Sequence, residues 1–244
     1  MKSHPSQRGL VFPAHRKGYL YGFSLIELLT VIAVMSLLVV VSVPGITALA
    51  SSGQVNQTVA DIDELLDQAR QYAVAQNTYV WVAFSPDTTM KGGEGLHMAV
   101  IASGDGTDPF NWTGGGTVPG ATGTGNAPTS LNLLTPVRTF PQTKYVGAGT
   151  ITDLSSLPNT VSVSSSNSPA DSAISFNIAL PGRTTTTAFT KVIEFTPSGQ
   201  AHNRSDPIAL LEFGFEPVKG ATVMVKNATV IRINGLTGAA MVYR

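Results

Sequence analysis

The stretch Gly22-Phe23-Ser24-Leu25-Ile26-Glu27-Leu28-Leu29-Thr30-Val31, continued without another charge to Val43, decides how this chain reads. Every residue from Phe23 to Val43 is apolar or small except Glu27, and the run is preceded by Lys2, Arg8, Arg16 and Lys17 with no acid among them. As a helix rising about 1.5 Å per residue, such a run is about 31 Å long, which matches a bilayer hydrocarbon core of about 30 Å. The basic flank then predicts a cytoplasmic N-terminus and a body on the outer side. Glu27 is the misfit: a carboxylate in a membrane helix costs about 2.5–3.5 kcal/mol on insertion scales, so it needs a partner.

Gly22-Phe-Ser-Leu-Ile-Glu27-Leu-Leu, followed by an apolar stretch and Pro44, resembles the N-terminal signature of type IV prepilins and type II secretion pseudopilins. The resemblance implies that a prepilin peptidase cuts after Gly22 and methylates the new N-terminus at Phe23. It also implies that Glu27 serves assembly and register, and that Pro44 kinks the helix. The implied partners are that peptidase, other pilin or pseudopilin subunits, an inner-membrane assembly platform, and membrane lipid before assembly. The implied location is the inner (cytoplasmic) membrane as a single-pass protein, with an extracytoplasmic head in the periplasm or at the cell surface, and then the assembled filament. After cleavage the Phe23 amine and the Glu27 carboxylate of a neighbouring subunit can pair. Breaking a buried pair is what costs most, so a subunit would gain by joining. Free N–H groups in the first helical turn also favour an acid there. An ordinary signal peptide is the rival reading, with a small-residue cleavage site at Ala48-Leu49-Ala50. The apolar run, however, is longer than the usual 7–15 residues of an h-region, on the order of two to one, and it contains Glu27.

Composition bounds the remainder. The chain has 244 residues, 43% hydrophobic and 12% charged, and beyond the first fifty there is enough for one modest domain. Formal net charge is zero, but removing the leader leaves eleven bases against fifteen acids, a mildly acidic body that gives no reason to expect nucleic acid as a partner. Cysteine is absent, so disulfides cannot staple the fold.

Val55, Val59, Ile62, Leu66, Ala69 and Ala73 fall at spacings of three and four, and Asp61, Asp63, Glu64 and Asp67 lie mostly off that line. This predicts an amphipathic helix to about Gln76, with a turn at Asn77-Thr78. Strands are predicted at Tyr79 to Phe84, His97 to Ala102, Ile174 to Leu180, Val192 to Thr196, Ile208 to Phe215, Thr222 to Lys226, Val230 to Ile233 and Ala239 to Tyr243. Asn234-Gly235 and Thr237-Gly238 mark a terminal hairpin. Ser103 to Thr150, rich in Gly, Thr, Pro and Asn, reads as an extended loop with a short strand near Leu131 to Leu134, and Val161 to Ala170 is similarly Ser-rich. Leu66 to Asn77 with the strand after it, and Glu194-Phe-Thr-Pro-Ser-Gly199, resemble the H-type minor pseudopilins. The expected fold is α+β and pilin-like: a long N-terminal membrane helix continuing into an amphipathic helix packed on an antiparallel, mostly β head. The expected division is a leader at 1–22, a transmembrane or filament-core helix at 23–50, an amphipathic helix at 51–78 and a β-rich head at 79–244 with the loop at about 103–150.

Catalytic constellations are sparse, and no enzyme is expected. His97 and His202 sit in no metal-ligand spacing. His202, Ser205 and Asp206 have the residue types of a hydrolytic triad, but their closeness in sequence suits a polar turn better. Asp105 and Asp108 on a glycine loop supply two hard oxygen donors of the six to eight that calcium takes, a solvated turn being the default. No cofactor is expected. Lys219, Lys226, Arg232 and Arg244, interleaved with Glu212 and Glu216, read as a charge-alternating solvated sheet face, and Trp81, Phe84 and Trp112 as core or loop-anchoring aromatics. The expected function is structural: a minor subunit of a type IV pilus-like or type II secretion pseudopilus-like filament. A membrane-anchored extracytoplasmic binding module that does not polymerise is the alternative, and an exported enzyme a more distant one.

Overall fold

The structure, a computed structural model, describes residues 24–108, 116–118, 131–147, 149–152, 160–163, 168–169, 174–203, 208–220, 222–224 and 227–244. The chain divides into two compact units, Met1–Leu49 and Ala50–Arg244. Helix α1 is Leu25–Gln76. Its end follows from Asn77, whose φ of 49° is the left-handed cap that Asn tolerates, with the Thr78 N–H returning 3.0 Å to the Ala73 carbonyl.

In the second unit, strands β1 (Val80–Asp87), β2 (Gly95–Ser103), β4 (Leu131–Leu133), β5 (Arg138–Pro141), β11 (Lys191–Phe195) and β12 (Ala201–His202) form a sheet ordered β12-β11-β1-β2-β4, with β5 also on β2. A second sheet is β14 (Thr222–Val223), β13 (Leu210–Lys219), β15 (Thr229–Asn234) and β16 (Ala240–Tyr243) in that order, with β6 (Thr143–Val146) on β13. Smaller sheets join β10 (Thr186–Phe189), β9 (Ile174–Ala179) and β3 (Gly116–Val118), and β7 (Gly149–Thr152) with β8 (Thr160–Val163). All pairings are antiparallel except β3 with β9.

The period-2 geometry of β1 explains its unbroken burial. Val80, Val82 and Phe84 face a core shared with Val59, Ile62, Leu66, Ala69 and Ala73 of α1 and with Phe213 and Ile231 of the second sheet. Trp81 and Ala83 face the opposite way, into a core completed by Phe176, Ile178 and Phe189. A sheet covered on both faces reads as a continuous apolar run, as Val80-Trp-Val-Ala-Phe84 does. The second sheet is also covered twice: Ile151 of β7 lies against Gly214 of β13, where a Cβ would overlap its side chain. Between the two large sheets the chain crosses at Gln142, held at a φ of 57°, between β5 on one sheet and β6 on the other.

Several expectations are corrected here. The described fold is mostly antiparallel β rather than an α+β pilin with a membrane-spanning first helix. Among the described residues no helix is long and apolar enough to cross a membrane. Beyond residue 55 the helix is amphipathic, with Val59, Ile62, Leu66, Ala69 and Ala73 buried in the core of the second unit. Later turns of α1 carry Asp61, Asp63, Glu64 and Asp67. The single-pass inner-membrane location is therefore not supported, nor is the membrane and prepilin description that went with it. Within the loop expected at 103–150, β4 falls on the short strand expected near Leu131 to Leu134, whereas β3, β5, β6 and the start of β7 are further strands there, and β8 lies in the Ser-rich stretch after it.

Candidate functional site

The start of α1 is built locally. Ser24 precedes the helix, and its carbonyl accepts the Glu27 N–H at 3.0 Å and the Leu28 N–H at 3.2 Å. Ser24-Leu-Ile-Glu27 thus has a cap residue with a glutamate three positions on, the pattern of a capping box, with the acid beside the free N–H groups of the first turn. Reading the stretch for its apolar run alone misses that signal. The two nearby hydroxyls are spent on the helix itself, Thr30 Oγ1 donating to the Glu27 carbonyl at 2.9 Å and Ser36 Oγ to the Ile32 carbonyl at 2.7 Å. What remains on the surface is apolar. Leu25, Ile26, Leu28, Leu29, Val31, Ile32, Val34, Met35, Leu37, Leu38 and Val39 are exposed by 49–80%, on every side of the helix. Glu27 is the single charge among them. Gly22 and Phe23, the expected cleavage and methylation positions, lie outside the described residues. Pro44, the expected kink, lies within α1, with its side chain outside what is described.

A second array lies in the other unit, at the Asp87 end of β1. Asp87 Oδ1 accepts the Thr89 hydroxyl at 2.6 Å and the Thr89 N–H at 2.8 Å, while Oδ2 receives Arg183 at 3.2 Å and faces His97 Nε2 at 3.4 Å. These bonds, led by the Thr89 hydroxyl, hold the Asp87 carboxyl down to about 2 against the opposing effect of its burial. Burial pushes the His97 pKa down, and the neighbouring Asp87 pulls the other way. A neutral His97 beside an ionised Asp87 carries its proton on Nε2, which leaves Nδ1 to accept from the Thr139 hydroxyl at 3.0 Å. Three strands, β1, β2 and β5, are tied together by this chain of bonds. It has the residue types of a nucleophilic relay, but its evident work is to brace β5 where the chain turns from one sheet to the other. Nothing in the sequence pairs Asp87 with Thr139, because register brings them together.

The other expected positions are placed as follows. The Asp105 carboxylate accepts from Ser103 Oγ at 2.7 Å and from the Thr107 N–H and hydroxyl at 3.0 and 2.7 Å, a local turn network. Asp108 makes its electrostatic mark on His202, whose pKa burial lowers and Asp108 raises. Among the described residues no three acidic, histidine or cysteine side chains are placed to hold a metal ion. Ser205, Asp206, Trp112 and Lys226 lie outside the described residues. Trp81 and Phe84 are core residues, and the Trp81 indole N–H donates to the buried Glu194 at 3.1 Å. The face carrying Glu212, Glu216 and Arg232 differs from the solvated one expected. Both glutamates are buried; Arg232 Nε donates to Glu212 while its guanidinium lies 5.3 Å over the Tyr243 ring, and Lys144 Nζ reaches Glu216 at 3.0 Å. Cover from β7 is what the charge pattern could not reveal.

A groove of about 190 Å³ opens between α1 and the first sheet. Its walls are Leu65, Gln68, Ala69 and Tyr72 of the helix, Val100 of β2, and Leu134 and Thr135 of the β4–β5 link. No family model matches this chain, and neither a curated protein nor a solved structure does.

Proposed function

We propose that this chain is a structural subunit, of the minor kind, in a type IV pilus-like or type II secretion pseudopilus-like filament, processed after Gly22 and N-methylated on Phe23. The observation that supports it is the apolar surface of residues 25–39, eleven large side chains uncovered around one helix with Glu27 as the single charge. An exposed apolar patch of that extent marks an interaction site. Each such side chain is worth about 1.5–3 kcal/mol when fully buried, so leaving all of them in water is untenable for an isolated molecule. The cover proposed is the same segment of other copies, packed side by side. Glu27 then accepts a cation at a fixed height along the bundle, and the Phe23 amine freed by processing is the one the sequence supplies nearby.

The test is replacement of Glu27 by Ala in the full chain, followed by assembly and by the state of the N-terminus. Cleavage after Gly22 is expected to continue while incorporation into filaments is lost. Normal incorporation of the variant would remove the register role of Glu27.

A further inference from the structure

We infer that the groove between α1 and the first sheet seats the Lys91–Lys219 end of a second copy of this chain, as a lateral contact in the filament proposed above; it rests on that reading. Three observations lead there. The groove walls are apolar, through Leu65, Ala69, Val100 and Leu134, and Tyr72 stands at the side of the helix that lines it, more than a third exposed. Its rim is acidic. On a helix of 3.6 residues per turn Asp61 stands one turn before Leu65 in line with the groove, and Glu64 stands beside it. Both carboxylates are met by neutral amides, Gln57 Nε2 to Asp61 at 2.6 Å and the groove residue Gln68 Nε2 to Glu64 at 3.0 Å. Among the described residues neither makes an ion pair.

The complementary surface is at the opposite charge. The Gly220 N–H donates to the Gly92 carbonyl at 3.1 Å, which sets the β1–β2 turn against the end of β13 and brings Lys91 and Lys219 to one place. Both lysines are exposed, and Glu94, half-buried, is the acid closest to them in sequence in the β1–β2 turn. A lysine entering the groove would lay its methylene stem on the apolar walls and leave its ammonium at the acidic rim, the amphipathic use to which lysine stems are suited. Because the two surfaces differ, the contact is heterologous. Repetition from copy to copy does not close a dimer, and where the rotation does not close a ring it runs on into an open assembly such as the filament.

The chain has no cysteine, so introduced thiols report on one pair alone. Full-chain Gln68→Cys and full-chain Lys91→Cys are mixed under assembling conditions and oxidised. A disulfide between the two variants is expected in excess over either homodimer. Adding Asp61→Lys and Glu64→Lys to the Gln68→Cys chain is expected to lower the yield about tenfold, and adding Lys219→Glu to the Lys91→Cys chain to recover part of it. Filaments that form with no such cross-link, or with a yield indifferent to these charges, would overturn the groove contact and leave the filament reading standing. Met35→Asp, on the exposed apolar helix and remote in sequence from the groove, separates the two: filaments that form normally with it would overturn the filament reading.

Discussion

Replacing Asp87 by Asn tests the brace between β1, β2 and β5. The carboxyl is lowered from 3.8 to about 2, chiefly by the Thr89 hydroxyl, with the Thr89 N–H, His97 and Arg183 adding to it against burial. At about 1.36 kcal/mol per unit, a drop of nearly two units makes the ionised form worth about 2 kcal/mol to the folded state. Since the folded value lies below the unfolded one, this stability is fully present above pH 3.8 and is lost as pH falls through about 2. The amide of Asp87→Asn keeps an oxygen for Thr89 but lacks the charge that strengthens the bonds from Thr89, His97 and Arg183. The variant is therefore expected to unfold with about 2 kcal/mol less free energy at pH 7, and to converge on the wild type as pH approaches 2. Urea titrations of the full chain at several pH values, followed by the fluorescence of buried Trp81, measure both. An offset of the same size at pH 7 and at pH 2 would refute the assignment of the loss to the charge.

His97 titrates in a different window. Its folded pKa is below its ordinary 6.5, so stability should fall as pH drops from 6.5 toward that lower value, and His97→Gln should flatten this part of the urea-derived profile, leaving the share of His202, which is lowered in the same direction. Phe213→Ala removes a fully buried ring that meets Phe84, Tyr145 and Phe215, and should cost about 3–5 kcal/mol by chemical denaturation. Gly238, at a φ of 66°, sits where a Cβ would overlap the Gly199 carbonyl and press on Arg70, whose Nε donates to the Thr237 carbonyl at 2.7 Å. Gly238→Ala should lower stability by about 1–3 kcal/mol, read as a shift in the urea midpoint.

What the sequence makes legible is local. The three-and-four spacing from Val59 to Ala73 predicts the buried face of α1, and the β-branched and aromatic content of Val80-Trp-Val-Ala-Phe84 predicts β1. The Asn77 cap and the Asn234 turn, whose side chain accepts the Leu236 and Thr237 N–H groups at 3.0 Å, are readable from residue type alone. What stays hidden depends on partners distant in sequence. β7 and β8 are four residues each in Thr-, Ser- and Gly-rich sequence, too short for their alternation to stand out, yet Ile151 covers the face that buries Glu212 and Glu216. Residue type alone therefore reads those charges as solvated. The brace at His97 needs the β1–β2 register and the β2–β5 register together, and no short motif encodes either. At the N-terminus the apolar run suggests a membrane span, whereas residues 25–39 present an apolar helix surface uncovered on every side.

The central claim is that this helix is a processed assembly element, and the N-terminal peptide of the mature, assembled protein tests it most directly. Mass spectrometry of that peptide is predicted to find a chain beginning at Phe23 with one methyl group on its amine. A chain beginning at Ser51, or one that keeps Met1, would contradict the account.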